Sequence, residues 1–171
     1  VVANLEMYDC LFQSNSVPDN NYQHDSYKAT VLYSYWGRNG TLIMDRCRVY
    51  DGLRGACFGM NYYDGTAQPV VKNSLFVNNQ GPELAHGYSW NMRWLNCTFT
   101  GNSGSVSGRN PSGGVWLRNC IVQTNGTPIG SSESLVIQDS MFYETALGTY
   151  NAIASSNVQL DINPLLKSDY S

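Results

Sequence analysis

Charge is what this chain has least of. Only 13% of its residues are Asp, Glu, Lys or Arg, and the formal net charge is −3. No run of Lys and Arg exists to release counterions from a phosphate backbone, so the composition argues against nucleic acid as a partner. Long apolar runs are missing too: nothing approaches the roughly 18 residues needed to span a bilayer as a helix. Histidine is limited to His24 and His86. Two dispersed imidazoles do not make the three protein ligands of a zinc centre, so no metal site is expected from them. Helical periodicity is absent. The scarcity of charge does not mean disorder, because 42% of the residues are hydrophobic and can form a core. Apolar runs are short and bounded by Gly, Asn, Asp and Ser, the pattern of an all-β chain with many turns. With 171 residues the expectation is a single domain over 1–171. Val1 already reads as the start of a strand, as expected of a mature chain or a piece of a longer one.

What the chain does have is a repeated phrase, and a repeat takes precedence over other readings. Asn96-Cys97-Thr98-Phe99-Thr100-Gly101-Asn102 recurs as Asp9-Cys10-Leu11-Phe12-Gln13-Ser14-Asn15, as Asn73-Ser74-Leu75-Phe76-Val77-Asn78-Asn79 and as Asn119-Cys120-Ile121-Val122-Gln123-Thr124-Asn125. Shorter copies stand at Arg46-Cys47-Arg48-Val49 and Asp139-Ser140-Met141-Phe142. Taking the Cys or Ser as position 0, the phrases fall at residues 10, 47, 74, 97, 120 and 140, a spacing of 37, 27, 23, 23 and 20. A period in the low twenties with insertions fits one coil of a β-solenoid. Position +2 holds Phe12, Val49, Phe76, Phe99, Val122 and Phe142. Position −3 holds Met7, Met44, Val71, Trp94, Leu117 and Ile137, and position −5 holds Leu5, Leu42, Pro69, Met92, Val115 and Leu135. These apolar columns alternate with mixed ones at period two, as the inward face of a strand does. Position −1 holds Asp9, Arg46, Asn73, Asn96, Asn119 and Asp139. Asn and Asp tolerate left-handed backbone, so this column marks a corner, and stacked Asn amides can hydrogen-bond from rung to rung.

The five cysteines cannot all pair internally. Cys10, Cys47, Cys97 and Cys120 share position 0, so their Cβ vectors run parallel on rungs about 4.8 Å apart. A disulfide needs Cβ atoms about 3.8 Å apart and turned toward each other. This favours buried, stacked thiols over disulfides. Second strands are expected at Thr30–Trp36, Ala56–Tyr63, Glu83–Trp90, Ser105–Gly108, Pro128–Gly130 and Asn151–Ala154, with a seventh coil beginning at Val158. Residues 16–28 form a polar loop insertion, and Arg109–Gly114 a shorter one. The outward positions +1 and +3 carry Leu11, Leu75, Ile121, Met141, Tyr50, Val77 and Tyr143, too apolar for a freely solvated face. A cover is expected there, from the loop at 16–28 or a partner chain. No capping element is visible at either end, so capping by an adjoining chain, homo-oligomerisation or continuation into a longer helix is expected.

The repeated phrases, with Ile162-Asn163-Pro164-Leu165-Leu166 near the end, resemble the coils of right-handed parallel β-helix proteins of the pectate-lyase-like superfamily. The resemblance implies an all-β, right-handed parallel β-helix of about six to seven coils, as part of a longer helix. It also implies an extracellular, cell-surface or virion setting. Its members include polysaccharide lyases, hydrolases, epimerases, phage tailspikes and adhesins, so the fold alone does not choose a function. The hydrolase motifs Asn-Thr-Asp, Asp-Asp and Gly-His-Gly and the epimerase motif Asp-Pro-His-Glu are absent, and no catalytic residue carries over from them.

Function is therefore sought on the outward columns. Lys72, Arg93 and Arg118 form a candidate cationic stripe for β-elimination on a uronic-acid polymer, neutralising the carboxylate while a base removes the C5 proton. Asp45 stands next to Lys72, to hold a Ca²⁺ or to orient the lysine. Trp116, Tyr62, Tyr88 and Trp90 are candidate stacking platforms for sugar rings. The expectation is a polysaccharide-engaging β-helix, a lyase or tailspike-type glycan-degrading domain, acting if an enzyme by β-elimination or as a glycoside hydrolase. The alternative is a non-catalytic structural or adhesin module of a surface or virion assembly.

Overall fold

The structure, a computed structural model, describes residues 4–16, 29–36, 41–53, 56–62, 69–81, 84–88, 92–104, 106, 115–123, 135–145, 152–160 and 163–164. In chain order the strands are β1 (Asn4–Tyr8), β2 (Leu11–Gln13), β3 (Ala29–Trp36), β4 (Thr41–Asp45), β5 (Arg48–Tyr50), β6 (Ala56–Tyr62), β7 (Val70–Lys72), β8 (Leu75–Val77), β9 (Ala85–Tyr88), β10 (Met92–Leu95), β11 (Thr98–Thr100), β12 (Val115–Arg118), β13 (Ile121–Gln123), β14 (Leu135–Gln138), β15 (Met141–Tyr143), β16 (Ala152–Ser156) and β17 (Gln159–Leu160). Strands β1-β4-β7-β10-β12-β14-β16 make a first sheet, and β2-β5-β8-β11-β13-β15-β17 a second. A third sheet runs β3-β6-β9. Among the described residues every pairing of these strands is parallel. The chain is all-β, with parallel strands stacked rung on rung as in a β-solenoid.

The register is that of the columns. Met7 pairs with Met44, Met44 with Val71, Val71 with Trp94, Trp94 with Leu117 and Leu117 with Ile137. From the second rung to the sixth, the described side chains of positions −5, −3 and +2 are buried in one core, while Leu5, Met7 and Phe12 of the first rung pack against its edge half-buried. Phe76 and Phe99 stack with centroids 5.3 Å apart, and Trp94 meets both edge-on at 5.3 and 5.1 Å. Offset stacked and edge-to-face pairs are the favoured aromatic geometries, and the three large buried side chains concentrate the core's stabilisation in the central rungs.

Among the described residues, two columns of corners run where the backbone turns left-handed. At position −1, Asp9, Arg46, Asn73, Asn96, Asn119, Asp139 and Asn157 have φ of 50–54°. A second such column stands at position +4, with Ser14, Asp51, Asn78, Gly101 and Glu144 at φ of 47–63°. At Gly101 a Cβ would lie 2.5 Å from Asn78 Oδ1, so glycine answers both the backbone angle and the space. The ladder bonds continue through both corners, for example Asn73 N to Leu95 O at 2.9 Å and Asn78 N to Thr100 O at 3.1 Å.

The five cysteines are free, as the parallel geometry requires. Each of Cys10, Cys47, Cys97 and Cys120 points its thiol at the carbonyl two residues earlier, at 3.3–3.4 Å. Burial pushes the Cys47 and Cys97 thiols above their ordinary range.

The expected second strands are seen at β3, β6 and β9. Of Ser105–Gly108 only Val106 is described, and it is buried. Pro128–Gly130, Arg109–Gly114 and loop residues 17–28 lie outside the described residues. The expectation for Asn151–Ala154 is corrected: β16 pairs with β14 in the first sheet, so Ala152–Ser156 is the repeat strand of the seventh rung. Its position 0 is Val158, two residues before Leu160, which pairs with Phe142. The outward columns are unevenly exposed, and the loop expected to cover them lies outside the described residues. Val77 and Thr100 are buried although they sit at outward position +3, whereas Leu11 is 60% exposed.

Candidate functional site

The outward face of the first sheet brings Lys72, Arg93 and Arg118 onto three neighbouring strands, β7, β10 and β12. Lys72 and Arg118 share position −2 with Leu95 between them, paired Leu95–Lys72 and Leu95–Arg118. Two rungs thus separate the two cations, at about 4.8 Å per rung. Arg93 stands one column over, paired with Trp116. Its guanidinium lies 5.3 Å from the Trp116 ring centroid, within cation–π range. Trp116 keeps 40% of its surface exposed. Arg93 Nε is buried without a hydrogen-bond partner, leaving the terminal amino groups of the fork as its outward donors.

Asp45 is at the edge of this stripe but its oxygens are committed. Oδ1 accepts from Asn73 Nδ2 at 2.8 Å. Oδ2 accepts from Arg46 Nη1 at 2.9 Å and lies 3.4 Å from Lys72 Nζ. The Asn73 amide, then the Lys72 and Arg46 charges, hold the carboxyl below its ordinary value against the opposing effect of burial. Arg46 also grips Asp9 with two bonds, Nε to Oδ1 at 2.7 Å and Nη2 to Oδ2 at 2.9 Å. That fork holds the Asp9 carboxyl below its ordinary value and raises the guanidinium's own. Tyr8 lies under the same guanidinium at 5.9 Å and donates to Glu6 Oε2 at 2.9 Å, a bond that raises the phenol.

The aromatic candidates are split between sheets. Tyr62 ends β6 and Tyr88 ends β9, both in the third sheet, where only their backbone is described. Trp90 lies outside the described residues, as does His24. Among the described side chains of these candidates, Trp116 is joined to the cationic stripe.

Two features escaped the sequence reading. One is the Arg46 clamp: the signal was an Arg in a column of Asn and Asp, with Asp9 one rung below. The other is a second, internal amide ladder at position +5, signalled by Asn79 and Asn102 at the same place in the phrase. Asn79 Nδ2 donates to Asn102 Oδ1 at 2.9 Å, and Asn102 Nδ2 donates to Phe76 O at 3.0 Å, all buried.

Among the described residues no group of three or more His, Cys, Asp or Glu side chains is gathered as a metal site, and no helix is long and apolar enough to cross a membrane. No protein-family model matches the chain, and neither the curated proteins nor the solved structures contain a match. The fold and the stripe together make a β-solenoid-like stack of parallel strands with an outward cationic and aromatic face.

Proposed function

We propose that this chain is a right-handed parallel β-helix module, similar to the pectate-lyase-like superfamily, that engages an extended acidic polysaccharide along the outward face of the first sheet. Right-handed crossovers are the rule where parallel strands are joined, which supports the handedness. The observation that carries the reading is the row Lys72, Arg93, Arg118 on adjacent strands beside exposed Trp116. Cations on successive rungs stand about 4.8 Å apart along the sheet, so an extended acidic polymer laid across the strands can set carboxylates against them while a ring stacks on Trp116. Asp45 serves by orienting Lys72 rather than by holding Ca²⁺, because both its oxygens already have partners. In β-elimination the same three cations neutralise the uronate carboxylate and stabilise the enolate while the C5 proton passes to solvent acting as base, the C4–O bond then breaks to leave a C4–C5 double bond, and the leaving oxygen takes a proton from solvent. The setting that goes with such a ligand is extracellular, on a cell surface or a virion.

The test is titration calorimetry with polygalacturonate and alginate against a neutral glucan, at two salt concentrations. Binding to the acidic polymers that weakens with salt, and that falls in Lys72→Ala, Arg118→Ala and Trp116→Ala, is expected. Equal affinity for the neutral glucan, or variants that bind as well as the parent, overturns the reading. Release of an unsaturated, ultraviolet-absorbing end group in the same mixtures marks a lyase. Its absence leaves a binding module.

A second reading has its own observation. Leu11 on the first rung and Leu160 on the seventh are 60% and 51% exposed, so apolar surface stands at both edges of the second sheet. That favours a structural or adhesive module of a surface or virion assembly, covered by an adjoining chain or a second copy. A mass in solution above that of one chain, without binding to any acidic glycan, selects this reading.

A further inference from the structure

The thiols of position 0 stand in two couples on neighbouring rungs. Around Cys10 and Cys47 the register is fixed: Tyr8 pairs with Asp45, Leu11 pairs with Arg48, and Arg48 N donates to Cys10 O at 2.9 Å. Cys97 and Cys120 stand in the same relation, between the pairs Leu95–Arg118 and Thr98–Ile121. Ser74 lies between the couples and Ser140 follows the second. All four side chains take one orientation, since each thiol donates to the carbonyl two residues before it at 3.3–3.4 Å. Side chains of one orientation repeat at the rung spacing, so the sulfurs of a couple lie about 4.8 Å apart. In both couples the two thiols are near enough to interact. That separation is far too wide for an S–S bond of about 2.0 Å. It matches something else. A metal–thiolate bond is about 2.3 Å, so a metal held in line between two sulfurs sets them about 4.6 Å apart. The couples differ in their surroundings. Cys97 and Cys120 are each 1% exposed, with rungs on either side, whereas Cys10 is half-exposed on the first rung above an enclosed Cys47.

We propose that Cys10 and Cys47 form a two-sulfur site for a soft monovalent metal ion, Cu(I) or its analogue Ag(I), held in line between neighbouring rungs. Thiolate sulfur selects such ions, and two ligands facing each other suit them. Zinc needs four ligands, and the couple has two. The carbonyl oxygens nearest the Cys47 sulfur, those of Asp45 and Met7, stand 3.3 and 3.6 Å away and serve the thiol proton rather than a metal. On binding, two S–H bonds are replaced by two metal–sulfur bonds, both protons pass to solvent, and the metal keeps its oxidation state. The loaded couple carries one negative charge. At the first rung solvent reaches Cys10, takes up the protons and screens that charge. The Cys10 backbone N–H already points at the Cys47 sulfur and favours its thiolate. The interior couple has the same spacing but no solvent beside it, and a charge there is costly. Cys97 and Cys120 therefore stay as thiols in the folded chain.

The test is anaerobic titration of the whole reduced chain into a coloured Cu(I)–chelator complex, with loss of colour reading transfer to the protein. Serine is the fold's own alternative at position 0, as Ser74 and Ser140 show, so cysteine-to-serine variants keep the packing. The parent should take up one equivalent of Cu(I), and Cys10→Ser and Cys47→Ser should take up none. Cys97→Ser should bind like the parent. Ag⁺ should displace the Cu(I), and Zn²⁺ and Ca²⁺ in excess should not. X-ray absorption of the loaded chain should show two sulfur neighbours alone. Failure of the parent to draw Cu(I) from the chelator overturns the proposal, as does uptake by Cys10→Ser equal to that of the parent. Loss of uptake in Cys97→Ser, or a shell of more than two ligands, overturns it as well. The couple faces inward and the cationic stripe outward, so the outcome is independent of glycan binding.

Discussion

Position 0 takes Cys or Ser because the corner leaves a backbone N–H pointing into the core. The Cys47 and Cys120 N–H groups donate to Ser74 Oγ and Ser140 Oγ of the following rung at 3.1 and 3.0 Å. Where the following rung carries a cysteine, its sulfur takes the same bond, as Cys97 does from Ser74 and Cys120 from Cys97. The acceptor also donates: Ser74 Oγ–H bonds Lys72 O at 2.7 Å. A small side chain that accepts once and donates once is thus required at a fully enclosed site, and a buried donor left alone is costly. Ser74→Ala orphans the Cys47 N–H and should cost about 1–3 kcal/mol. Ser74→Cys, the solution used on four other rungs, should cost less than about 1 kcal/mol if the neighbouring packing adjusts. Chemical denaturation of both variants checks this. An alanine variant no less stable than the cysteine variant defeats the argument.

At the scale of the element, the first rung is joined to the second by charge as well as by strand pairing. Arg46 replaces an Asn of the corner column and bonds both its neighbour Asp45 and Asp9, which precedes it by 37 residues. The charged and titratable groups around it among the described residues are Glu6, Tyr8, Asp9, Asp45 and Lys72. Both aspartates have carboxyls held below the ordinary range. Their contribution is therefore fully present above the ordinary carboxylate range and is lost as pH falls through the lowered values of the folded state. Acidification should loosen β1 against β4 before it touches β10 and β12. Amide exchange followed by mass spectrometry across an acid series reads this. Arg46→Gln should exchange faster over Leu5–Met7 already at neutral pH and respond less to acid. If acid accelerates all rungs together, the clamp does not hold the first one.

The same element shows where sequence reading succeeds and where it stops. Columns −5, −3 and +2 were legible because each repeats one property, bulk without charge, at a fixed offset from the phrase. The corner at −1 was legible because Asn dominates it. The corner at +4 was not: Ser14, Asp51, Asn78, Gly101 and Glu144 share a backbone angle and no side-chain type. The seventh rung was misplaced for a related reason. Its strand carries Ser155 opposite Ile137 and a register shift after the Leu135 pairing, so the apolar signature is gone. Of the candidate site, the alignment of Lys72, Arg93 and Arg118 on neighbouring strands followed from spacing. The commitment of both Asp45 oxygens, and the laying of Arg93 on Trp116, depend on side-chain reach across rungs, which no spacing encodes.

For the whole molecule, stacking makes stability a nearest-neighbour property: an inner rung is held from both sides, an outer one from one side. The structure grades accordingly. Leu42, Met44, Val71, Met92, Trp94, Leu117 and Val122 are fully enclosed, while Leu5, Met7 and Phe12 on the first rung and Val158 on the seventh are half-buried. The Phe76–Trp94–Phe99 cluster lies on the third and fourth rungs, so the most area-rich contacts are central. Removing one of these rings leaves a cavity that the surrounding rungs cannot close, because backbone ladders fix their separation. Phe99→Ala should therefore cost about 3–5 kcal/mol, and Phe12→Ala distinctly less, since its site opens to solvent and can be filled by water. Native-state exchange should rank amides in the same order, slowest in β8, β10 and β11 and fastest in β1 and β17. Equal losses for Phe99→Ala and Phe12→Ala, or protection of β1 equal to that of β10, would mean that the chain unfolds as one unit and that rung-by-rung coupling does not govern its stability.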